Sequence, residues 1–221
     1  MYGSFMHRIG LFGGTFNPIH YGHLRTAEEV REALALHRIW FIPAADPPHK
    51  EGSHIIPVSH RLEMARLAVR RHPEFAVCDF EAMRAETSYS LYTIRHYRRI
   101  LGEFASIYFV IGTDAFAEIT TWHKWRDVLT SCHFAVMARP GSSLERPGDA
   151  LPADWAARYT TTDDAGVFRH ESGMEIVFVP VTELDISSSD IRDRRARAGS
   201  IAFLTPPAVI HYIRDHDLYQ S

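Results

Sequence analysis

The order of apolar runs and helical periods predicts an α/β fold, a doubly wound parallel sheet with a small helical part at the C-terminal end. Three observations carry this expectation. In Arg8–Leu24 (RIGLFGGTFNPIHYGHL) a short apolar run of Ile9, Leu11 and Phe12 breaks at Gly13-Gly14 and leads into His20 and His23, three residues apart. Runs of the same kind return at 38–42, 75–79, 106–111, 133–138 and 174–179, separated for the most part by segments of helical period. Several of these runs end in Gly, Thr, Pro or Asp, and the carboxyl ends of strands are where an open α/β sheet holds its ligand.

The 221 residues suit one domain over 1–221, interrupted by a loop-rich insertion at about 142–173, and they can bury a substantial core. A formal net charge of −3 gives no overall field that would favour nucleic acid or a membrane as partner. The two cysteines, Cys78 and Cys132, read as reduced thiols and not as a disulfide framework. No apolar run approaches the roughly 18 residues of a membrane span, and the N-terminus lacks a signal-peptide core. A cytoplasmic protein is expected, with self-association left open.

Helix one is expected over about Gly22–Leu36, with Leu24, Ala27, Val30, Leu34 and Ala35 facing inward. Strand two is Arg38–Ile42, followed by PAADPPHK, where Lys50 stands beyond a strand end and within reach of a phosphate. Ser59–Arg71 reads as a helix capped by Ser59, and Phe75–Asp79 as strand three. A third helix opens near residues 86–90, with Ser88 or Ser90 as its cap and free N–H groups able to hold a carboxylate.

Strand four, Ser106–Ile111, runs into Gly112-Thr113-Asp114, where Asp114 suits either a ribose or a helix cap. Trp122 is expected at a helix start with its ring partly open, and Trp125 inward beside Val128 and Leu129. Strands five and six are His133–Ala138 and Met174–Val179. Residues 185–192 (DISSSDIR) start a helix whose serines and Arg192 form a second anion cradle, while Arg194, Arg195 and Arg197 read as a solvated face. Thr205-Pro206-Pro207 opens the last helix, with Val209, Ile210 and Ile213 inward.

Four anion-friendly elements thus fall at strand ends or helix starts: Gly13-Gly14, the His20/His23 pair, Lys50 and the Ser188–Arg192 helix start. Together they point to a polyphosphate substrate. The chain offers no CxxC or HExxH for zinc, no GxGxxG and no P-loop, and no candidate covalent nucleophile. Transfer at a phosphorus needs none, because the protein's task there is positioning and neutralising charge.

Gly14, Phe16, Pro18, His20, Gly22 and His23 match the GxFxPxHxGH signature of the nucleotidyltransferase superfamily. GGTFNPIHYGH, PPHK, TSYSLYT, IGTD with TW, and ISSSDIR, in this order, resemble bacterial nicotinate-nucleotide adenylyltransferases over nearly the whole chain. Two departures are ISSSDIR for the commoner ISSTxIR and TSYS for PSYT. The resemblance implies a Rossmann-like nucleotidyltransferase fold and transfer of AMP from ATP, with Mg²⁺, to nicotinate mononucleotide. It implies that Gly13, Gly14, Thr15, His20 and His23 hold the triphosphate, that Ser188 and Arg192 bind its β and γ phosphates, and that Gly112 and Asp114 take the ribose. His20, His23 and Arg192 would be catalytic. Asn17, Lys50, Ser90, Trp122 and His123 would serve the nicotinate nucleotide, Trp122 stacking on the pyridine ring and N–H groups near Ser90 and His123 meeting its carboxylate. No metal ligand is implied within the chain.

Overall fold

A computed structural model describes residues 7–45, 55–84 and 87–220. Eight strands form one sheet in the order β3-β2-β1-β4-β5-β8-β7-β6. They are β1 (His7–Gly14), β2 (Arg38–Pro43), β3 (Phe75–Val77), β4 (Ala105–Gly112), β5 (His133–Ala138), β6 (Tyr159–Thr161), β7 (Val167–His170) and β8 (Glu175–Pro180). The chain divides into two compact units. The first comprises Met1–Phe12, Glu29–Ile39 and Tyr89–Thr182, the second Gly13–Glu28, Trp40–Ser88 and Glu183–Ser221.

In the first unit β1, β4, β5 and β8 pair in parallel, in registers that include Leu11↔Phe109, Phe109↔Phe134 and Phe134↔Ile176. Ile107 to Ile111 are all buried, the unbroken apolar run expected of a strand covered on both faces. β6 and β7 are antiparallel to each other, and β7 is antiparallel to β8, so the sheet is mixed and not wholly parallel as the sequence suggested.

Both antiparallel strands come from the stretch expected to be loop-rich. There Trp155, 8% exposed, packs edge-on against Trp125 at 5.3 Å and face-on against His170 at 5.2 Å. The guanidiniums of Arg126 and Arg158 lie 5.5 and 4.8 Å from its ring centre. One tryptophan thus organises a segment whose polar, Gly- and Pro-rich composition hides it.

Helix α1 (Tyr21–Ala33) stops before the expected Leu36. Ala35 takes a left-handed φ of 47°, with Ala35 N–H donating to Glu32 O and Leu36 N–H to Arg31 O. This is a Schellman ending in which alanine stands where glycine is usual. It turns Leu36 inward to 2% exposure and leaves Ala35 exposed.

In the second unit α2 (Val58–Val69) follows Pro57 at the cap position, so Ser59 lies inside the helix and caps nothing. Its buried face carries Leu62, Met64, Ala65 and, at 1% exposure, Arg61. Helix α7 (Ser188–Ala196) is capped by Ser187, whose hydroxyl accepts from Asp190 N–H at 3.1 Å. Helix α8 (Pro207–Asp215) begins with proline in its first turn, as expected, and buries Val209 and Ile213.

The first unit also holds α3 (Ser90–Leu101), α4 (Thr113–Ala117), α5 (Trp125–Ser131) and α6 (Ala153–Ala156). Tyr89 occupies the cap position of α3 without a side-chain cap bond. The serines expected there have other places: Ser90 is the first helical residue, and Ser88, in the second unit, accepts from Ala45 N–H at 3.2 Å. No described helix is long and apolar enough to cross a membrane.

Candidate active site

In the second unit the loop from Gly13 to the start of α1 is built by interlocking packing. Phe16, with φ 48° and 2% exposed, folds its ring back over Gly14, where a Cβ would meet it at 2.8 Å. The Phe16 ring lies edge-on to His23 at 5.0 Å and to Phe41 at 5.7 Å, so it braces one of the two imidazoles. Gly22 has the corresponding role for His20: a Cβ there would stand 3.0 Å from the ring.

The rings of His20 and His23 stack at 3.7 Å with 29° between their planes, His20 being 6% exposed. His23 Nδ1 accepts from the His20 backbone N–H at 3.3 Å. His23 thereby takes the place of the Glu or Gln of a capping box at the third helical position. With Nδ1 an acceptor, a neutral His23 carries its proton on Nε2.

The preceding carbonyls are held one by one. Arg192 Nη1 donates to Asn17 O at 2.8 Å, Ser188 Oγ to Pro18 O at 2.8 Å, and Thr205 Oγ1 to Ile19 O at 2.7 Å. Tyr219 OH donates to Asn17 Oδ1 at 2.8 Å, and Tyr21 N–H to Leu204 O at 3.0 Å. Burial raises the Tyr219 phenol far above its ordinary range, so it remains a donor. Arg192 keeps Nε and Nη2 without partners among the described residues, free to meet an anion.

The first unit carries a second group of expected residues, on the segments around α3 and after β4. A Cβ on Gly112, at the cap position of α4, would meet nothing within 4 Å. Asp114 follows in the first turn, exposed, and forms no cap bond. Trp122 lies on extended backbone between the 3-10 turn Ile119–Thr121 and α5, not at a helix start. Lys124, left-handed at φ 51°, separates it from the helix. The Trp122 ring is half-buried, edge-on to Phe109 at 6.1 Å. His123 stacks on Tyr89 at 4.4 Å, and its Nε2 is buried without a hydrogen-bond partner among the described residues. Its backbone N–H also lacks a partner among the described residues.

The expected residues therefore fall into two sets. Gly13, Gly14, Thr15, Asn17, His20, His23, Ser188 and Arg192 belong to the second unit, and Ser90, Gly112, Asp114, Trp122 and His123 to the first. Lys50 lies outside the described residues. No described group of three or more His, Cys, Asp or Glu could hold a metal ion. Sequence reasoning missed the bracing residues Arg61, Thr205 and Tyr219. Thr205 carried the signal of a helix start only, and Tyr219 none.

The cytidylyltransferase-like family model matches residues 11–194. A relative from Pelobacter propionicus named "Probable nicotinate-nucleotide adenylyltransferase" is 42% identical over 214 residues, 97% of this chain and 99% of its own length. One from Geobacter metallireducens, of the same name, is 43% identical over 96% of this chain and 98% of its own length. The chain belongs to the nicotinate-nucleotide adenylyltransferase family. The fold of this adenylyltransferase is also that of the Plasmodium falciparum nicotinic acid mononucleotide adenylyltransferase solved with NaAD. The two match with a TM-score of 0.70 over 96% of this chain and 97% of that one, at 17% identity. The same Plasmodium protein solved with APC gives 0.69.

Proposed function

We propose that this adenylyltransferase transfers AMP from ATP to nicotinate mononucleotide, giving deamido-NAD and pyrophosphate. The observation that carries the reading is the stacked His20/His23 pair at the start of α1, with His23 Nδ1 tied to backbone. A phosphate oxygen of the mononucleotide attacks the α-phosphorus of ATP in line. The bond to the β-phosphate oxygen breaks, and its electron pair leaves with pyrophosphate. Charge grows on the phosphoryl oxygens during this step, and fixed donors aimed at it lower the barrier.

His20, His23 Nε2–H and the unused N–H groups of Arg192 supply such donors. Gly13, Gly14 and Thr15 border the triphosphate, with Ser188 and Arg192 at its β and γ phosphates. The donors are imidazole, guanidinium, hydroxyl and N–H, a set suited to phosphate oxygens and not to a resident cation. Mg²⁺ therefore enters as part of the Mg–ATP substrate, where it neutralises the leaving pyrophosphate.

Gly112 and Asp114 take the adenosine ribose; the open space where a Cβ of Gly112 would stand supports close approach there. Trp122 stacks on the pyridine ring, and Asn17 and Lys50 serve the mononucleotide. The unpartnered His123 N–H and the first-turn N–H of Ser90 receive the nicotinate carboxylate. Donor-only groups favour the acid over the amide, whose NH₂ would face another donor. A cytoplasmic setting belongs to this reading and agrees with two free thiols.

The test is pyrophosphate release with Mg–ATP and three acceptors in parallel: nicotinate mononucleotide, nicotinamide mononucleotide and phosphopantetheine. Fastest release with the first supports the proposal. Preference for either of the others, or no release, refutes it.

A further inference from the structure

We infer that Arg61 is a positioning residue for this reaction, a buried cation that sets the Gly-Gly-Thr turn and the chain beyond β2 in the geometry that binds the two substrates. The inference rests on the adenylyltransferase reading.

Arg61 is 1% exposed, on the inward face of α2, where an aliphatic side chain would satisfy the helix pattern. Its guanidinium instead makes four hydrogen bonds, all to backbone carbonyls. Nε donates to Ile56 O at 3.0 Å, Nη1 to Thr15 O at 2.8 Å and Ala44 O at 2.6 Å, and Nη2 to Ala45 O at 3.1 Å. No carboxylate bonds to it among the described residues; Glu81 and Tyr219 act on it only through space. Burial lowers its pKa, with Tyr219 and the Glu81 carboxylate acting in the opposite sense, yet arginine stays charged in proteins, so a full positive charge sits in the interior and makes its hydrogen bonds to peptide carbonyls.

Burying such a charge is costly, and replacing buried ionic groups by apolar ones often leaves stability unchanged or raised. A stabilising role therefore explains the residue poorly, and its bonding partners suggest another. Thr15 belongs to the turn that borders the triphosphate, whereas Ala44, Ala45 and Ile56 lie on chain that flanks segment 46–54. In a planar trans peptide the N–H points opposite to the C=O. Fixing Thr15 O on Arg61 therefore aims the N–H of the Thr15–Phe16 peptide away from the guanidinium. The planar fork is what allows one side chain to orient four peptides, and lysine cannot reproduce it.

The test is steady-state kinetics and calorimetry on the full-length protein and its Arg61→Lys variant, which keeps the charge and loses the fork. The expected result is a folded variant whose KM rises about tenfold for both ATP and nicotinate mononucleotide, with kcat at saturation changed less than about threefold. Titration calorimetry should show the same weakening of ATP binding. A lowered melting temperature with both KM values and the ATP affinity unchanged would make Arg61 merely structural and overturn the inference. A Lys variant that does not fold would overturn it as well, since the fork would then specify the fold. If the wild-type protein releases no pyrophosphate, the functional reading fails by itself, and ATP affinity of the two proteins still decides the role of Arg61.

Discussion

β1 and β4 each run to a glycine, and the loops that follow carry the two sets of candidate residues, yet they are held in opposite ways. After β1, three successive carbonyls, Asn17 to Ile19, are each bound by a different side chain. Glycines at 14 and 22 are demanded by the rings of Phe16 and His20. After β4, Gly112 meets no described atom where a Cβ would stand, Asp114 is exposed, and His123 has a buried ring nitrogen and a backbone N–H without partners among the described residues. The difference suits the division of labour proposed above. Groups that stabilise developing charge must be fixed before substrate arrives, because reorganisation at the moment of reaction raises the barrier. Groups that recognise a ligand can leave donors unmatched until it supplies the acceptor.

The largest expected effect tests the fixed loop. His23→Ala should lower kcat by about 10²–10³ with ATP affinity largely kept, the usual scale for one transition-state donor. His23→Gln keeps an acceptor for the His20 N–H and should restore stability without restoring turnover. Recovery of kcat in the Gln variant would reduce His23 to a helix cap. Next, Trp122→Ala should raise KM for the mononucleotide with little change in kcat. Loss of about 1–3 kcal/mol of stacking corresponds to roughly 5- to 150-fold. An unchanged KM would remove Trp122 from the site.

A smaller effect separates the two loops by stability alone. Gly14→Ala forces a Cβ into the Phe16 ring and should cost about 1–3 kcal/mol in denaturant unfolding. Gly112→Ala should cost less than about 0.5 kcal/mol, its φ of −77° being open to any residue, and should act on ATP binding instead. Equal losses at the two positions would erase the contrast.

The smallest concerns the scaffold of the open loop. Burial lowers the His133 and His170 pKa values below the ordinary 6.5, and for His133 Glu175 acts in the opposite sense. The unfolded chain then binds protons that the native chain refuses, so stability is complete above pH 6.5 and falls as the pH drops below it. Each group contributes at most about 1.4 kcal/mol per pH unit. Replacing both histidines by Gln should flatten the profile just below 6.5, and an unaltered slope would contradict the assignment.

Much of this was legible in the residues. The Gly-Gly turn, the histidine spacing and the serine run before Arg192 announce strand end, helix start and anion-binding chemistry through local rules. What stayed hidden depends on tertiary partners. Gly14 reads as an anion-cradle glycine and Gly22 as a signature position at a helix start, and neither reading shows that each makes room for a ring from its own loop. Arg61 fits an amphipathic helix as an outlier and gives no sign of the four carbonyls it orients. α1, α7 and α8 are followed by left-handed Ala35, Ala198 and Asp217, so the left-handed position that ends each is not a glycine the sequence could show. The sequence suggests a helix start at Trp122 because nothing in Trp122-His123-Lys124 foretells the left-handed Lys124 that delays α5.

The contrast between a prebuilt loop and a ligand-completed one is tested most directly by hydrogen–deuterium exchange, peptide by peptide, with and without nicotinate mononucleotide. The account predicts that the amides of His20, Tyr21 and Leu24, all hydrogen-bonded in the free protein, exchange slowly in both states. The His123 amide should exchange rapidly until the mononucleotide is added and slowly afterwards. Fast exchange at 20–24 in the free protein, or no protection at His123 on binding, would contradict it.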